Sequence, residues 1–331
     1  MRIKVVHIGL GPIGAAVLRQ VAGRKGMQIV GAVDIDPAKI GRDAGEVCGV
    51  PRKLGVKVTD DIARTIKAAR PDVAVLCTSS SLKKVVPEFE AVLKLKVPIV
   101  STTEELAYPA KANARVAKKI DALAKRARVA VLGTGVNPGF TMDALPIALT
   151  AVCERVDAIA IDRVQDASIR RLPFQQKIGA GLTREAFLDR VKAGTVRHVG
   201  LAESITMIAD AMGWKLDRVT DEIEPKMTDT GTSSQFMTVE PGRVCGLIQD
   251  GVGYVKGQPL ITLHMEAYLG APESYDGVRI TGSPSLNMRI AGGVHGDIAT
   301  ASITVNSIPK ILHAQPGLRT MRDMALPSFA G

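Results

Sequence analysis

Residues 2–14 read Arg-Ile-Lys-Val-Val-His-Ile-Gly-Leu-Gly-Pro-Ile-Gly, a short β-branched run that ends in a glycine turn. An apolar run of this length suits a strand buried on both faces of a parallel sheet. Beyond the turn Ile13, Val17, Leu18 and Val21 recur at helical spacing, so Gly9-Leu10-Gly11-Pro12-Ile13-Gly14 sits where a strand hands over to a helix. In that setting Gly9 permits the tight turn, Gly11 lets the backbone approach a pyrophosphate, and Gly14 allows close packing of helix on strand. Pro12 gives up only a spare N–H, and the amides from Ile13 onward offer phosphates free donors at the positive end of the helix dipole. Glycine turns are common, so a second feature has to decide. The apolar run Met27–Val33 ends in Asp34, 20 residues past Gly14, where a carboxylate accepts hydrogen bonds from an adenosine ribose. This combination predicts dinucleotide binding, with NAD as the cofactor because Asp34 repels a 2′-phosphate. Lys39 and Arg42 nearby keep NADP open.

Strand and helix patterns go on alternating: strands over 72–77, 97–102 and 128–132, helices over 83–95 and 109–126. The expected fold class is α/β, a doubly wound parallel sheet of the Rossmann type. Ligands of such sheets gather beyond the carboxyl ends of the strands, in the loops at 78–81, 103–109 and 133–140. Thr78, Ser79 and Thr103 are therefore candidate cofactor contacts, and Asn137 is placed to hold a nicotinamide carboxamide. The second of these loops carries Glu104 and Glu105. Hydride transfer needs a proton carrier beside the nicotinamide, and in extended chain only one of two neighbouring carboxylates faces it. The other is expected to cap the helix entered at Pro109.

A length of 331 residues accommodates two domains, and 46% hydrophobic with 23% charged residues excludes extended disorder. The most apolar region, 129–153, is broken by Asn137, Pro138, Asp143 and Pro146, so no membrane span is expected. Arg2 and Lys4 before an apolar run mimic a signal peptide, but the glycines interrupt it, and we read it as folded structure. The formal charge of +10 suggests nucleic acid, yet aromatics are 3% of the chain and the basic residues are spread along helical faces such as 111–128. No nucleic-acid role is expected. Cys48, Cys77, Cys153 and Cys245 are scattered, which argues against disulfides or structural zinc and for a reducing cytoplasm.

From Thr141 the pattern becomes mixed: strands over 156–164, 216–223, 242–254 and 260–268, with helices over 183–193 and 201–212. We expect residues 1–139 to bind NAD(P), rejoined by the C-terminal segment 294–331, and residues 140–293 to form an α+β substrate and dimerisation domain. A homodimer is expected because the strands over 242–268 leave a sheet face that the few helices there cannot cover. Leu201, Ile205, Ile208 and Met212 form a core stripe, as do Ile298, Ala301, Val305, Ile308 and Leu312 on the last helix, which Pro309 bends or ends. Candidate substrate contacts are Phe140, Arg170, Arg171 and His264. The two arginines suit a carboxylate, although adjacent side chains cannot both enter one pocket. His198 and His264 lack neighbours at ligand spacing, so no metal is expected.

Gly-Leu-Gly-Pro-Ile-Gly at 9–14, Gly-Ala-Val-Asp at 31–34, Glu-Glu-Leu-Ala-Tyr-Pro at 104–109, Gly-Thr-Gly-Val-Asn-Pro-Gly-Phe at 133–140 and Arg-Arg-Leu-Pro-Phe-Gln-Gln-Lys-Ile-Gly at 170–179 together resemble the 2,4-diaminopentanoate dehydrogenase and native amine dehydrogenase family. The resemblance implies a dihydrodipicolinate reductase-like architecture and reversible NAD(P)-dependent oxidative deamination of an amine to a ketone or aldehyde plus ammonia. It also selects Glu104 over Glu105 as the catalytic carboxylate. The paired histidines and lysine of dihydrodipicolinate reductase itself have no counterpart at 162–171. Competing readings are an alcohol or aldehyde dehydrogenase on the same plan and a redox sensor that binds NAD(H) without turnover.

Overall fold

In the computed structural model, which describes residues 2–109 and 113–331, one unit runs to Phe140 and resumes at His295, and a second spans Thr141–Val294. The first begins β1 (Ile3–Ile8), α1 (Pro12–Gly23), β2 (Met27–Val33), α2 (Ala44–Cys48), β3 (Val58–Thr59), α3 (Ile62–Ala69), β4 (Val73–Leu76), α4 (Leu82–Lys94), β5 (Ile99–Ser101), α5 (Ala114–Ala127) and β6 (Ala130–Gly133). Residues 110–112 of the helix expected over 109–126 lie outside the described residues. All six strands are parallel, ordered β6-β5-β4-β1-β2-β3. Val5–Ile8 and the whole of β4 and β6 are buried, as strands covered on both faces require. The direction of winding reverses between β1 and β4, which opens a crevice at their carboxyl ends. Asp43 shapes the stretch around α2 by accepting N–H bonds from Gly45, Leu54 and Gly55 at 2.9, 3.0 and 2.8 Å.

The second unit holds α6 (Ala144–Leu149), β7 (Arg155–Asp166), α7 (Leu172–Lys177), α8 (Arg184–Lys192), α9 (Leu201–Ala211), β8 (Arg218–Thr228), a ribbon of β9 (Thr232–Ser233) and β10 (Thr238–Val239), β11 (Arg243–Val255), β12 (Gln258–Tyr268), β13 (Tyr275–Ser283) and β14 (Leu286–Ala291). Six strands form a mixed sheet, β14-β13-β7-β12-β11-β8, in which only β7 and β12 run parallel. Leu201, Ile205 and Ile208 of α9 are fully buried on it against Leu247, Ile261 and Leu263. Alternation along the strands sends Asp162, Thr262, His264 and Glu266 to the opposite face, which is half-exposed and which α9 does not cover.

The chain then returns to the first unit as α10 (Gly296–Ile311) and β15 (Gly317–Arg319). β15 pairs with β6 in parallel and completes a seven-stranded sheet. α10 packs on α1, where Gln20 Nε2 donates to Ser302 Oγ at 3.1 Å. Its buried face is Ala301, Thr304, Val305, Ser307, Ile308 and Ile311. Ile298, expected on this stripe, is 62% exposed, and Thr304 and Ser307 take inner places because their hydroxyls bond back to the Thr300 and Ile303 carbonyls at 2.7 Å. Pro309 stands in the last turn, where it ends the helix within two residues. Among the described residues no helix is long and apolar enough to cross a membrane.

Candidate active site

Gly9 has φ +89°, and a Cβ there would meet the Cys77 carbonyl oxygen at 2.7 Å. At Gly14 a Cβ would lie 1.9 Å from the Gly9 oxygen, so the turn and α1 can close only without it. Gly11 differs: nothing stands within 4 Å of its Cβ position, which leaves open space at the start of α1. The first turn of α1 contains no acidic residue and no side-chain cap. A pyrophosphate fits this donor set, and a side chain or a carboxylate there would exclude it. Asp34, 9% exposed, accepts the Leu10 N–H at 2.7 Å and the Asp36 N–H at 2.9 Å, with Lys39 Nζ at 3.1 Å. Burial pushes the Asp34 carboxyl up, but the Asp36 and Leu10 amides and the Lys39 ammonium outweigh it and hold the acid below its ordinary range. The carboxylate thus ties the end of β2 to the glycine turn, at the place where a ribose would sit.

His7 is fully buried on β1 beneath this turn, and burial lowers its pKa from 6.5 to about 4 against smaller raising effects of Gly9 and Asp34. The native state therefore keeps a neutral imidazole between pH 6.5 and 4 while the unfolded chain takes up a proton. Stability from this residue is complete above pH 6.5 and is lost as the pH falls towards 4, by about 3 kcal/mol. Urea unfolding at pH 7 and pH 4.5 should show a smaller pH-dependent loss for His7→Gln than for wild type. Equal losses in the two proteins would refute a neutral buried His7.

The remaining strands deliver the other expected residues to the same sheet edge. Thr78 is exposed after β4 and its hydroxyl donates to Glu88 Oε2 at 2.5 Å, while Ser79 Oγ accepts the Ser81 N–H at 3.2 Å. Thr103, 1% exposed, accepts at Oγ1 from the Ser101 hydroxyl at 2.9 Å and so anchors the loop after β5. Glu104–Leu106 forms a 3₁₀ turn, not the extended chain expected, so the two carboxylates diverge by about a third of a turn. Glu105 Oε2 accepts the Leu82 N–H at 2.7 Å. Its helix is α4, not the one after Pro109 as expected, because the turn folds back over the loop after β4, where Glu105 N–H also reaches the Ser80 carbonyl at 3.3 Å. Glu104 is half-buried beside it. A Cβ at Gly133 would sit 2.6 Å from the Leu106 backbone, so β6 ends hard against this turn. Beyond it Asn137 is buried, with 8% exposure, and Phe140, half-buried, is where the chain leaves the first unit.

In the second unit, Arg170 is buried at the turn into α7, where Nη1 donates to Gln165 Oε1 at 3.0 Å and the guanidinium stacks on Phe174 at 4.1 Å. Arg171 is the half-buried residue just before α7. His264, a candidate substrate contact, lies on the half-exposed sheet face between Asp250 at 2.7 Å and Glu266 at 3.1 Å; burial lowers its pKa, but these two carboxylates outweigh it and raise the pKa above the ordinary value. Arg163 and Gln165 point the other way, into the helix-covered side with Ile159 and Ile161. Arg163 pairs with Asp276 there and donates to the Val294 carbonyl at 2.9 Å. Neither was singled out in the sequence, although a charge at the period-2 positions of an apolar strand face marks Arg163. Among the described residues no group of three His, Cys, Asp or Glu side chains is placed to hold a metal.

Residues 140–330 match the family model of the 2,4-diaminopentanoate dehydrogenase C-terminal domain, and residues 3–133 that of the dihydrodipicolinate reductase N-terminus. The chain belongs to the 2,4-diaminopentanoate dehydrogenase family. It is 37% identical to the 2,4-diaminopentanoate dehydrogenase of Acetoanaerobium sticklandii over 98% of this chain and 94% of that one. An amine dehydrogenase of Streptomyces virginiae is 25% identical over 99% and 98%. The solved amine dehydrogenase of Mycobacterium smegmatis shares the fold, with a TM-score of 0.87 at 24% identity, over 99% of this chain and 98% of that one. Membership places this chain among the oxidoreductases that act on CH–NH₂ groups with a nicotinamide cofactor.

Proposed function

We propose that the protein catalyses reversible oxidative deamination of an amine with Glu104 as the acid–base group, and that 2,4-diaminopentanoate or a close analogue is the substrate. The observation that carries this is the place of the turn after β5: it stands at the carboxyl end of the parallel strands, where ligands of this fold gather, with Glu105 turned to the start of α4 and half-buried Glu104 one residue before it. A bound nicotinamide cofactor supplies the hydride acceptor for deamination and the donor for amination. The turn at 9–14 and the start of α1 would hold its pyrophosphate, Asp34 its ribose, and Asn137 its carboxamide. Glu104 takes the proton of the substrate ammonium so that the free amine can lose hydride from its carbon, and passes that proton to solvent. It then accepts a proton from the water that adds to the resulting iminium carbon, returns it to the nitrogen of the carbinolamine, and takes up the hydroxyl proton as the carbonyl forms and the nitrogen leaves as ammonia. Adding 2,4-diaminopentanoate and NAD should release one ammonia per NADH formed. NADH formation from the matching hydroxy acid, without ammonia, would overturn this reading.

NAD is the cofactor we propose, supported by Asp34 and its grip on the turn. Lys39 pairs with Asp34, and Arg42 with Glu46 at 2.7 Å, so neither cation lacks an acid partner. Asp34→Ala should lower kcat/KM for NAD at least tenfold and raise that for NADP, because Lys39 loses its partner. A wild-type enzyme that already prefers NADP would contradict this. We also propose a homodimer through the half-exposed face of the second sheet, supported by the lack of cover from α9 on that side. Sedimentation at micromolar concentration should give twice the chain mass, and a species of 35.0 kDa would remove the proposal. A reducing, cytoplasmic setting is supported by four cysteines that are all free thiols.

A further inference from the structure

The chain passes between its two units twice, after Phe140 and after Val294, and in the second unit one buried guanidinium holds the residue at each crossing. Arg163 donates through Nη1 to the Thr141 hydroxyl at 3.3 Å and through Nη2 to the Val294 carbonyl at 2.9 Å. Asp276 pairs with the guanidinium and accepts the Val294 N–H at 2.7 Å, and Gln165 Nε2 adds a bond to the Val294 carbonyl at 3.2 Å. The first and last residues of the unit are thus fastened to one ion pair. In the first unit the same two segments are tied again, because the Val136 N–H donates to Thr300 Oγ1 of α10 at 3.3 Å. Between Val136 and Thr141 the chain has little slack. Gly139 has φ +127°, and a Cβ there would stand 2.5 Å from the Gly135 nitrogen, so the loop that carries Asn137 is closed on itself.

Stability does not account for charges at this place, since apolar side chains of similar volume fill a buried ion-pair site at least as well. A guanidinium does what they cannot: its rigid fork of donors fixes the direction of several hydrogen bonds at once. We propose that Arg163 and Asp276 are positioning residues for hydride transfer, whose clasp on Thr141 and Val294 holds the loop after β6, and Asn137 in it, in place for the nicotinamide. The glycine turn and Asp34 belong to β1, α1 and β2, so loss of the clasp leaves the adenosine and pyrophosphate end of the cofactor site as it is and loosens the nicotinamide end. The inference rests on the reading of Asn137 above and not on the identity of the amine.

The test is calorimetric titration of the full-length protein with NADH and with ADP-ribose, which lacks the nicotinamide, so that the two ends of the cofactor site are read separately. In Arg163→Met combined with Asp276→Leu, NADH should bind about fivefold to tenfold more weakly, the loss of about one hydrogen bond, with ADP-ribose within about twofold of wild type. Hydride transfer in a single turnover with 4-oxopentanoate and ammonium should slow about 10-fold to 100-fold, as a small misplacement of the reacting groups does. Thr300→Val removes the acceptor of the Val136 N–H from the other side, should shift the same two affinities in the same direction, and carries the test should the double variant not fold. A merely structural pair would weaken both ligands alike. Equal weakening of NADH and ADP-ribose, or an unchanged NADH affinity in these variants, would overturn the clasp. Asn137→Ala separates the underlying reading: NADH binding that falls there and not in the clasp variants would overturn the clasp alone, and binding that falls in the clasp variants and not there would overturn the role of Asn137 alone.

Discussion

Glu104→Gln is expected to slow amine oxidation about 100-fold to 10,000-fold, the usual loss when a general acid–base group goes, while NADH affinity and Tm stay at wild-type values. Glutamine keeps the volume of the side chain in its half-buried place after β5 and cannot exchange protons with the substrate nitrogen or with water. Glu105 supplies the control within the same turn. Glu105→Ala removes the acceptor of the Leu82 N–H at the start of α4 and should cost about 1 kcal/mol of stability, as losing a helix cap does, with turnover within a few-fold of wild type. Rate and melting temperature therefore separate the two carboxylates. Loss of turnover at position 105 with retention at position 104 would mean that the roles are reversed.

The largest effect on stability is expected at Asp276. Arg163 is 2% exposed on β7, and its guanidinium is paired with Asp276 and bonded to the Val294 carbonyl, while the second Asp276 oxygen accepts the Val294 N–H at 2.7 Å. Asp276→Ala leaves a buried guanidinium without its counter-charge and an amide without its acceptor, a change that costs about 3–5 kcal/mol. A fall in Tm on the order of 10 °C should follow. Arg163→Met combined with Asp276→Leu should recover much of it, since apolar side chains fill a buried ion-pair site without stranding a charge. A single Asp276→Ala variant that melts within a degree of wild type would show that the pair contributes nothing.

The glycine turn was legible because its geometry is local, a strand, a tight turn and the first turn of a helix within 14 residues, and Asp34 was legible because it follows the next strand at a spacing that one βαβ unit fixes. The segment between β2 and β4 was not, since β3 has two residues and exists by pairing with β2, and α2 is held by Asp43 bonds to the loop that follows it. The role of Glu105 was hidden for the same reason, because its partner Leu82 lies 23 positions earlier and no spacing encodes their meeting. His264 is the opposite case. Ile261, Leu263, Met265 and Ala267 alternate as the buried residues of β12, so parity alone turns His264 outward. The same parity puts Arg163 and Gln165 beside Ile159 and Ile161, a signal present in the sequence that motif reading passes over.

The most direct test of the central claim is a product analysis of the reverse reaction. Purified full-length protein is given NADH, a ketone such as 4-oxopentanoate, and ammonium or an ammonium-free buffer of the same ionic strength, and the products are quantified. The account predicts one primary amine formed per NADH oxidised and no oxidation without ammonium. Formation of the alcohol at a rate independent of ammonium would contradict it.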